Sequence, residues 1–415
     1  KLPKWLIPSA VSVLALIVPV QMASQNWDDH DRSGRYTAQN LAYNYLMSLD
    51  ENAIIVTHGD NDTFPLWYIQ EVEGVRLDTR IMNTSLLGTD WYIDQMKRPA
   101  FESTKLPISW KRWQYTTGRH EMIDINPPVL LPNGKEINAM DLLQELCAQD
   151  SVLNKDLWQG KPFEFTTMIK HFLLNEPFSS EFVKNHADFV AIKEKFIPQC
   201  IPANVAYITV DKEAVRNSGM MIPNDSIPDR MELSLEGRND ISKSELMMLE
   251  VIAQNNFKRP LYMSTTVGPG NYGSLYRHFI QEGLAHRISP FIFEENQPMV
   301  FTKVDTEKMY DNMMNKYSYG NLKQEGLYLD ETTMRMCYTH RRWFSMLIAA
   351  LIDEGKTEMA MKALEKVSTE IPAYNVPHDS GSGSIDLAQA YIRCGQLDKA
   401  EEILNALKDK SKEYA

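Results

Sequence analysis

From Leu6 to Ala23 the chain carries no charge, and Gln21 is the one strongly polar side chain in the run. In a helix those eighteen positions reach roughly 27 Å, close to one hydrocarbon core. Lys1 and Lys4 flank one end and Asp28, Asp29 and Asp31 the other, with Trp5 and Trp27 where interfacial aromatics belong. The positive-inside rule puts residue 1 in the cytoplasm and the residues after about 25 outside it. A secretory signal and a buried core helix share parts of this pattern. The chain begins with Lys, however, and Pro8 and Pro19 are tolerated better in a membrane helix than in a soluble one. The expectation is the last span of a longer membrane protein.

Beyond the span the pattern alternates. Tyr36, Ala42, Tyr43 and Leu46 fall near a 3.6-residue period and predict a helix over 33–50. Asn52-Ala-Ile-Ile-Val-Thr57 reads as a buried strand that ends in the turn-rich loop His58-Gly-Asp-Asn-Asp-Thr63. Pro65 fits the first turn of a helix continuing through Trp67, Tyr68 and Gln70. Leu77 to Asn83 predicts a second strand and Thr89 to Met96 a second helix. Strand, loop and helix, twice in under fifty residues, is the βαβ pattern of a parallel sheet. Further along, Val129 to Ile137 predicts a hairpin around Asn133-Gly134, with helices near Met140–Cys147 and Ser180–Lys195. Ser242-Lys-Ser-Glu245 has the spacing of a capping box for a helix through Ala253. Val205 to Val210 and Lys258 to Ser264 are strand-like and suited to extending the sheet begun at Ile54.

The last ~85 residues change character. The segment ending at Gly355 aligns with the one ending at Gly395, and the same offset pairs Ala360 with Ala400 and Leu364 with Leu404. Gly between paired helices, Ala at a close-packing point and Leu one turn on resemble tetratricopeptide hairpins, whose usual period is about 34. The extra residues fall in the loop Pro377-His-Asp-Ser-Gly-Ser-Gly383.

Charge narrows the partners. With 43 basic and 55 acidic residues the net charge is −12, and no Lys/Arg cluster of the kind that neutralises phosphates is present, so nucleic acid is excluded as a partner. The four cysteines, Cys147, Cys200, Cys337 and Cys394, are far apart and form neither a zinc motif nor a disulfide framework; spacing leaves one or two disulfides open.

Candidate chemistry lies just after the first strand. Asp60 and Asp62 follow its carboxyl end, where open α/β sheets bind ligands. Carboxylates there suit sugar hydroxyls, a divalent cation or acid–base work; the alternative is that Asp62 and Thr63 cap the next helix. Asp28, Asp29 and Asp31 stand just beyond the membrane as candidate cation ligands or as a solvated turn. Gly268 to Gly273 lacks the lysine and spacing of a phosphate loop and reads as a turn. Arg277, His278, His286 and Arg287 are close in sequence and suit either an anion site or a surface helix.

Several segments together carry a family resemblance: Trp27-Asp-Asp-His-Asp-Arg-Ser-Gly-Arg35, Thr57-His-Gly-Asp-Asn-Asp-Thr-Phe-Pro-Leu-Trp-Tyr68, Asn83-Thr-Ser-Leu-Leu-Gly-Thr-Asp-Trp-Tyr92, Asn256-Phe-Lys-Arg-Pro-Leu-Tyr262 and Glu282-Gly-Leu-Ala-His-Arg-Ile-Ser-Pro290. The chain resembles the C-terminal half of a bacterial multi-pass membrane family of unknown function, whose N-terminal half looks like the protein O-mannosyltransferases of GT-C fold. The resemblance implies a bacterial inner-membrane protein with the residues after about 25 in the periplasm. It implies a polyprenyl-phosphate sugar donor, a possible divalent cation and a glycan or polypeptide acceptor for the full-length protein, with membrane lipid as a further partner. In such enzymes the catalytic acidic residue lies in a loop that this chain does not contain, so no catalytic residue and no cofactor of its own are assigned here. Acceptor binding falls to His58, Asp60, Asp62, Trp67 and Tyr68, which lie where related oligosaccharyltransferases hold the acceptor, although the Trp-Trp-Asp motif of those enzymes is absent.

The expectation is therefore a membrane helix over 1–25, a mixed α/β extracytoplasmic domain with a parallel βαβ start over 26–325, and all-α tetratricopeptide-like hairpins over 326–415. Its function is that of a GT-C-type glycosyltransferase region that binds rather than catalyses. The alternatives are a single-span anchored scaffold whose repeats recruit a protein, and, last, an independent soluble hydrolase.

Overall fold

The computed structural model describes residues 3–27, 34–158, 163–223, 226–297 and 303–413. Helix α1 (Leu6–Gln25) fits the apolar run and ends two residues beyond it, with Pro19 inside and no buried side chain. Apolar residues exposed all round a helix of about 30 Å are what a lipid-facing span presents. The helix is compatible with a membrane anchor. The chain divides into two compact units, Tyr45–Asn312 and a second formed by Lys1–Asn44, which includes α1, with Met313–Ala415. Helix α2 (Thr37–Met47) is shorter than the periodicity predicts, because Ser48 and Leu49 close it with i→i−3 bonds to Tyr45 and Leu46.

The Tyr45–Asn312 unit is mixed α/β. Its main sheet has the order β11-β12-β10-β1-β2, with β1 (Ile54–Thr57), β2 (Arg80–Asn83) and β10 (Leu261–Ser264) parallel, and β12 (Ala285–Ile288) and β11 (Phe279–Gln281) antiparallel. All four residues of β1 are buried, as a strand covered on both faces requires. Helix α3 (Asp60–Glu71) connects β1 to β2, and α4 (Asp90–Met96) follows β2. Strand β2 starts three residues later than predicted, because residues 76–79 turn: Thr79 N–H bonds the Arg76 carbonyl and Arg76 has φ +53°. Helix α3 starts at Asp60, so Pro65 sits inside it rather than in its first turn. The Asn61 residue, whose carbonyl loses its partner, is exposed.

Smaller sheets complete the unit. β3 (Met122–Asp124) pairs with β9 (Asp240–Ser242), and β4 (Pro128–Leu130) with β5 (Glu136–Asn138) as the predicted hairpin. Strand β7 (Val205–Thr209) does not extend the main sheet. It lies between β6 (Phe163–Glu164) and β8 (Arg230–Ser234), since the edge beside β10 is taken by β12. Helix α5 (Ala139–Gln149) follows β5. The helix predicted over 180–195 is two, Ser180–Asn185 and Ala187–Phe196, broken at buried His186. Helix α6 (Lys243–Asn255) has half its capping box: Ser242 Oγ accepts from Glu245 N–H at 3.4 Å, while the Glu245 carboxylate turns to Arg238. The four thiols are free; burial pushes Cys147 up to about 11 and Cys200 and Cys337 to about 12. The predicted turn at 268–273 contains a one-turn helix, Pro269–Tyr272.

Arg277, His278, His286 and Arg287 form neither a surface helix nor an anion site. His278, His286 and Arg287 are buried around β11 and β12, and desolvation holds the two imidazoles neutral, down to about 4 for His278 and about 3 for His286. His286 stacks on Phe279 at 5.1 Å. Arg287 belongs to a charge-balanced cluster. It bonds Asp50 at 2.5 Å and Tyr262 Oη at 2.8 Å, while Lys308 reaches Asp50 at 2.6 Å and Glu282 at 3.0 Å. Tyr262 Oη donates to Glu282 at 2.7 Å. Arg287 and Glu282 are wholly removed from solvent.

The second unit carries the repeats: α7 (Glu331–Asp353), α8 (Thr357–Glu370), α9 (Ser384–Arg393) and α10 (Leu397–Glu413), paired as two hairpins. Gly355 and Gly395, both at φ +75°, end the first helix of each pair, and Ala360 and Ala400 are buried. Leu364 is buried where α9 meets α8, with Tyr391 Oη 3.3 Å from its carbonyl, whereas Leu404 is exposed. Arg341 of α7 donates to the carbonyls of Ile371, Val376 and Pro377 and so fixes the long inter-repeat loop. That loop ends at Gly383 (φ +74°), where a Cβ would lie 2.8 Å from Arg342 Cα.

Two consequences are measurable by urea unfolding of the detergent-solubilised chain. Arg287→Met removes one of the two cations of the cluster, leaving Lys308 alone to answer both Asp50 and Glu282, and costs about 3–5 kcal/mol. Gly383→Ala adds both backbone strain and a backbone clash and lowers the stability of the repeats by about 1–3 kcal/mol.

Candidate functional site

The sheet reverses direction of growth at β1: the chain runs from β1 to β2 on one side, and β10 joins on the other. In parallel sheets the crevice outside such a switch point is where ligands bind. Three loops bring polar groups there. They are Thr57-His58-Gly59 after β1, Asn83-Thr84-Ser85 after β2, and Thr265-Thr266 after β10.

Gly59 makes the turn into α3 with φ +78°, a conformation that a side chain resists, and its N–H bonds Ser85 Oγ at 3.0 Å. His58 Nδ1 lies 2.9 Å from Thr84 Oγ1 and 3.3 Å from Ser85 Oγ, on an exposed residue. Thr84 Oγ1 donates to the Thr57 carbonyl at 3.0 Å. Asn83 Nδ2 donates to the Gly59 carbonyl at 3.1 Å and to Thr63 Oγ1 at 3.0 Å, which in turn lies 2.8 Å from Thr57 Oγ1. The backbone N–H of Asn83 donates to Tyr92 Oη at 2.9 Å, and burial drives that phenol up to about 12.

Asp62 is the carboxylate at the centre of this network. It is 6% exposed, accepts from Thr266 Oγ1 at 2.7 Å and from His58 N–H at 3.2 Å, and its pKa is raised because desolvation outweighs those bonds. Tyr45, whose hydroxyl lies 2.7 Å from Thr265 Oγ1, is raised by burial and also feels the Asp62 charge. Asp62 does not cap α3, which starts at Asp60 with Gly59 as N-cap and no side-chain cap bond; it bonds back to His58 and joins the loop after β1 to the loop after β10.

The five residues expected to bind together separate into three places. His58 stands over the loop after β2, and Asp62 is buried beneath it. Asp60, Trp67 and Tyr68 share the solvent face of α3 at i, i+7 and i+8, with Phe64 at i+4 stacked 5.5 Å from Trp67. Tyr68 Oη donates to Glu73 at 2.8 Å. Asp28, Asp29 and Asp31, the candidate metal ligands, lie outside the described residues. Among the described residues no group of three or more His, Cys, Asp and Glu side chains is placed to hold a metal.

Sequence reasoning missed Tyr45, Asn83, Thr84, Ser85 and Thr266. The rule that singled out Asp60 and Asp62, the carboxyl end of a parallel strand, applies equally to 83–85 and 264–266. It was not extended to them, because pairing order is invisible along the chain.

Residues 38–308 match the model of the TMEM260-associated domain 2. The chain belongs to the TMEM260-associated domain 2 family. Residues 351–414 match the tetratricopeptide repeat, as the 40-residue offset and the paired helices already required. No curated protein and no solved structure matches the chain.

Asp62 gives the site a pH signature. A carboxyl raised in the native state stabilises fully below its ordinary value of 3.8 and loses that contribution as pH rises through the native value. Wild type is expected to lose stability relative to Asp62→Asn as pH rises above 3.8, read by denaturant midpoints across the pH range. Parallel curves would remove Asp62 as the cause.

Proposed function

We propose that this chain is the extracytoplasmic C-terminal region of a GT-C-type, protein O-mannosyltransferase-like membrane glycosyltransferase of the bacterial inner membrane, and that it binds the glycan or polypeptide acceptor rather than performing transfer. Helix α1 is its anchor, with the α/β unit and the repeats in the periplasm. The observation that carries the reading is the cradle at the carboxyl ends of β10, β1 and β2. There an exposed imidazole, the exposed Ser85 hydroxyl and a glycine turn lie at the surface, over the buried Thr84 hydroxyl and the buried Asp62 carboxylate.

Membership of the TMEM260-associated family and the exposed lipid-type helix support that placement. The face formed by Asp60, Phe64 and Trp67 adds an aromatic surface beside a carboxylate, a pairing suited to the apolar face and hydroxyls of a sugar or to a peptide. A polyprenyl-phosphate sugar and any divalent cation belong to the transferase centre elsewhere in the full-length protein. The second reading, an anchored scaffold recruiting a protein through its repeats, is favoured by the tetratricopeptide match.

Glycan transfer by the full-length protein in proteoliposomes separates the two. His58→Ala with Asp60→Ala raises KM for the acceptor by about tenfold or more, the loss of two hydrogen bonds, and leaves KM for the lipid-linked donor unchanged. Normal acceptor kinetics in that variant would sink the acceptor-binding assignment.

A further inference from the structure

A second polar recess in the α/β unit shares no lining residue with the loops of the first site. It has a volume of about 600 Å³ and is lined by Asp124, Asn126, Asn138, Asn204, Arg238 and Asn239. Its walls are fixed by backbone. Asp124 pairs with Asp240 across β3 and β9, Ile125 N–H bonds the Asn239 carbonyl at 2.8 Å, and the Asn204 carbonyl accepts from Leu235 at 2.7 Å.

The asparagines are the informative feature. Asn138 is the N-cap of α5, where its side chain would ordinarily accept a helix N–H, yet it makes no such bond. Asn126 performs that task from another loop: its Oδ1 accepts from Met140 N–H at 2.8 Å. The exposed Asn138 amide is thereby left without a cap bond at the rim of the recess. Asn204 and Asn239 likewise make no side-chain hydrogen bond among the described residues, and the Asp124 carboxylate is exposed.

The charge balance selects the ligand. Arg238 is neutralised by both oxygens of Glu245, so the recess has no free cation to attract a phosphate, and Asp124 repels one. What it offers is three amides, each with a donor and an acceptor in one plane, one carboxylate acceptor, and a strip of Pro127 and Pro128. Amide and carboxylate groups in that array match the vicinal hydroxyls of a sugar, and prolines match the C–H face of its ring. We propose that this recess is a carbohydrate-binding site for a neutral glycan, with Asn138, Asn204, Asn239 and Asp124 as the hydrogen-bonding groups. The proposal is independent of what the His58 loop binds.

Calorimetric titration of the full chain in detergent with maltose, cellobiose and mannobiose tests it, with inorganic phosphate as the anionic control and a Ser/Thr-rich peptide as the polypeptide control. At least one disaccharide is expected to bind and phosphate is not. Asn204→Ala with Asn239→Ala weakens binding by about 30-fold, as two lost hydrogen bonds require. The milder Asn239→Asp, which keeps the size and adds charge, also weakens binding if the double variant fails to fold. Binding of the peptide or phosphate in place of every disaccharide, absence of any binding, or disaccharide binding that survives the asparagine changes would overturn the assignment.

Discussion

A guanidinium with no access to water must have its charge answered inside the protein, and Arg287 is that group here. Its partners come from four places in the chain: Asp50 before β1, Ser218 between β7 and β8, Tyr262 in β10, and Glu282 in the turn after β11, with Lys308 completing the charge balance. Burying the arginine without that set would cost several kcal/mol per unpaired ion. The cluster therefore fixes which strands lie side by side before any ligand is considered. The order β12-β10-β1 is what places the loops after β10 and β1 next to each other.

The same demand recurs around the parallel strands, met chiefly by neutral carbonyls, with the Asp78 carboxylate answering Arg76 at 2.9 Å. Arg259 donates to the carbonyls of Asn52, Ala53 and Thr104, and burial lowers it to about 10. Arg76 holds the carbonyls of Leu46, Leu49 and Asp50, and Arg80 those of Gln95 and Arg98. In each case one planar fork ends several peptide groups that no strand or helix satisfies. Two of the segments behind the family resemblance, 256–262 and 282–290, contain Arg259, Tyr262, Glu282 and Arg287. They carry the resemblance, and these four side chains serve the scaffold. The segments 57–68 and 83–92 are different, because their polar residues meet at the open end of the sheet.

The candidate site shows how far a linear reading reaches. His58, Asp60 and Asp62 were found because they follow a buried β-branched run, and that position does become the switch point of the sheet. The grouping was wrong in one respect. Residues two apart on a helix face opposite ways, so Asp62 goes to the interior while Asp60 stays with Trp67 and Tyr68 on the surface. Asp62 is better understood as the tie between the loops after β1 and β10 than as a surface ligand.

The chain alone determined what depends on period and composition. The uncharged run became α1, the β-branched run became β1, and the Gly and Ala positions at a 40-residue offset became paired repeat helices. Those features are local, or repeat a local rule, and no distant partner is needed to specify them. Tertiary structure decided the rest. It put β7 in a separate sheet from β10, buried His278 and His286 where an anion site looked equally good, and shifted the capping of α5 from Asn138 to Asn126. Each of those outcomes depends on which groups become neighbours once water is excluded. Desolvation acts on that neighbourhood, and the order of residues along the chain does not contain it.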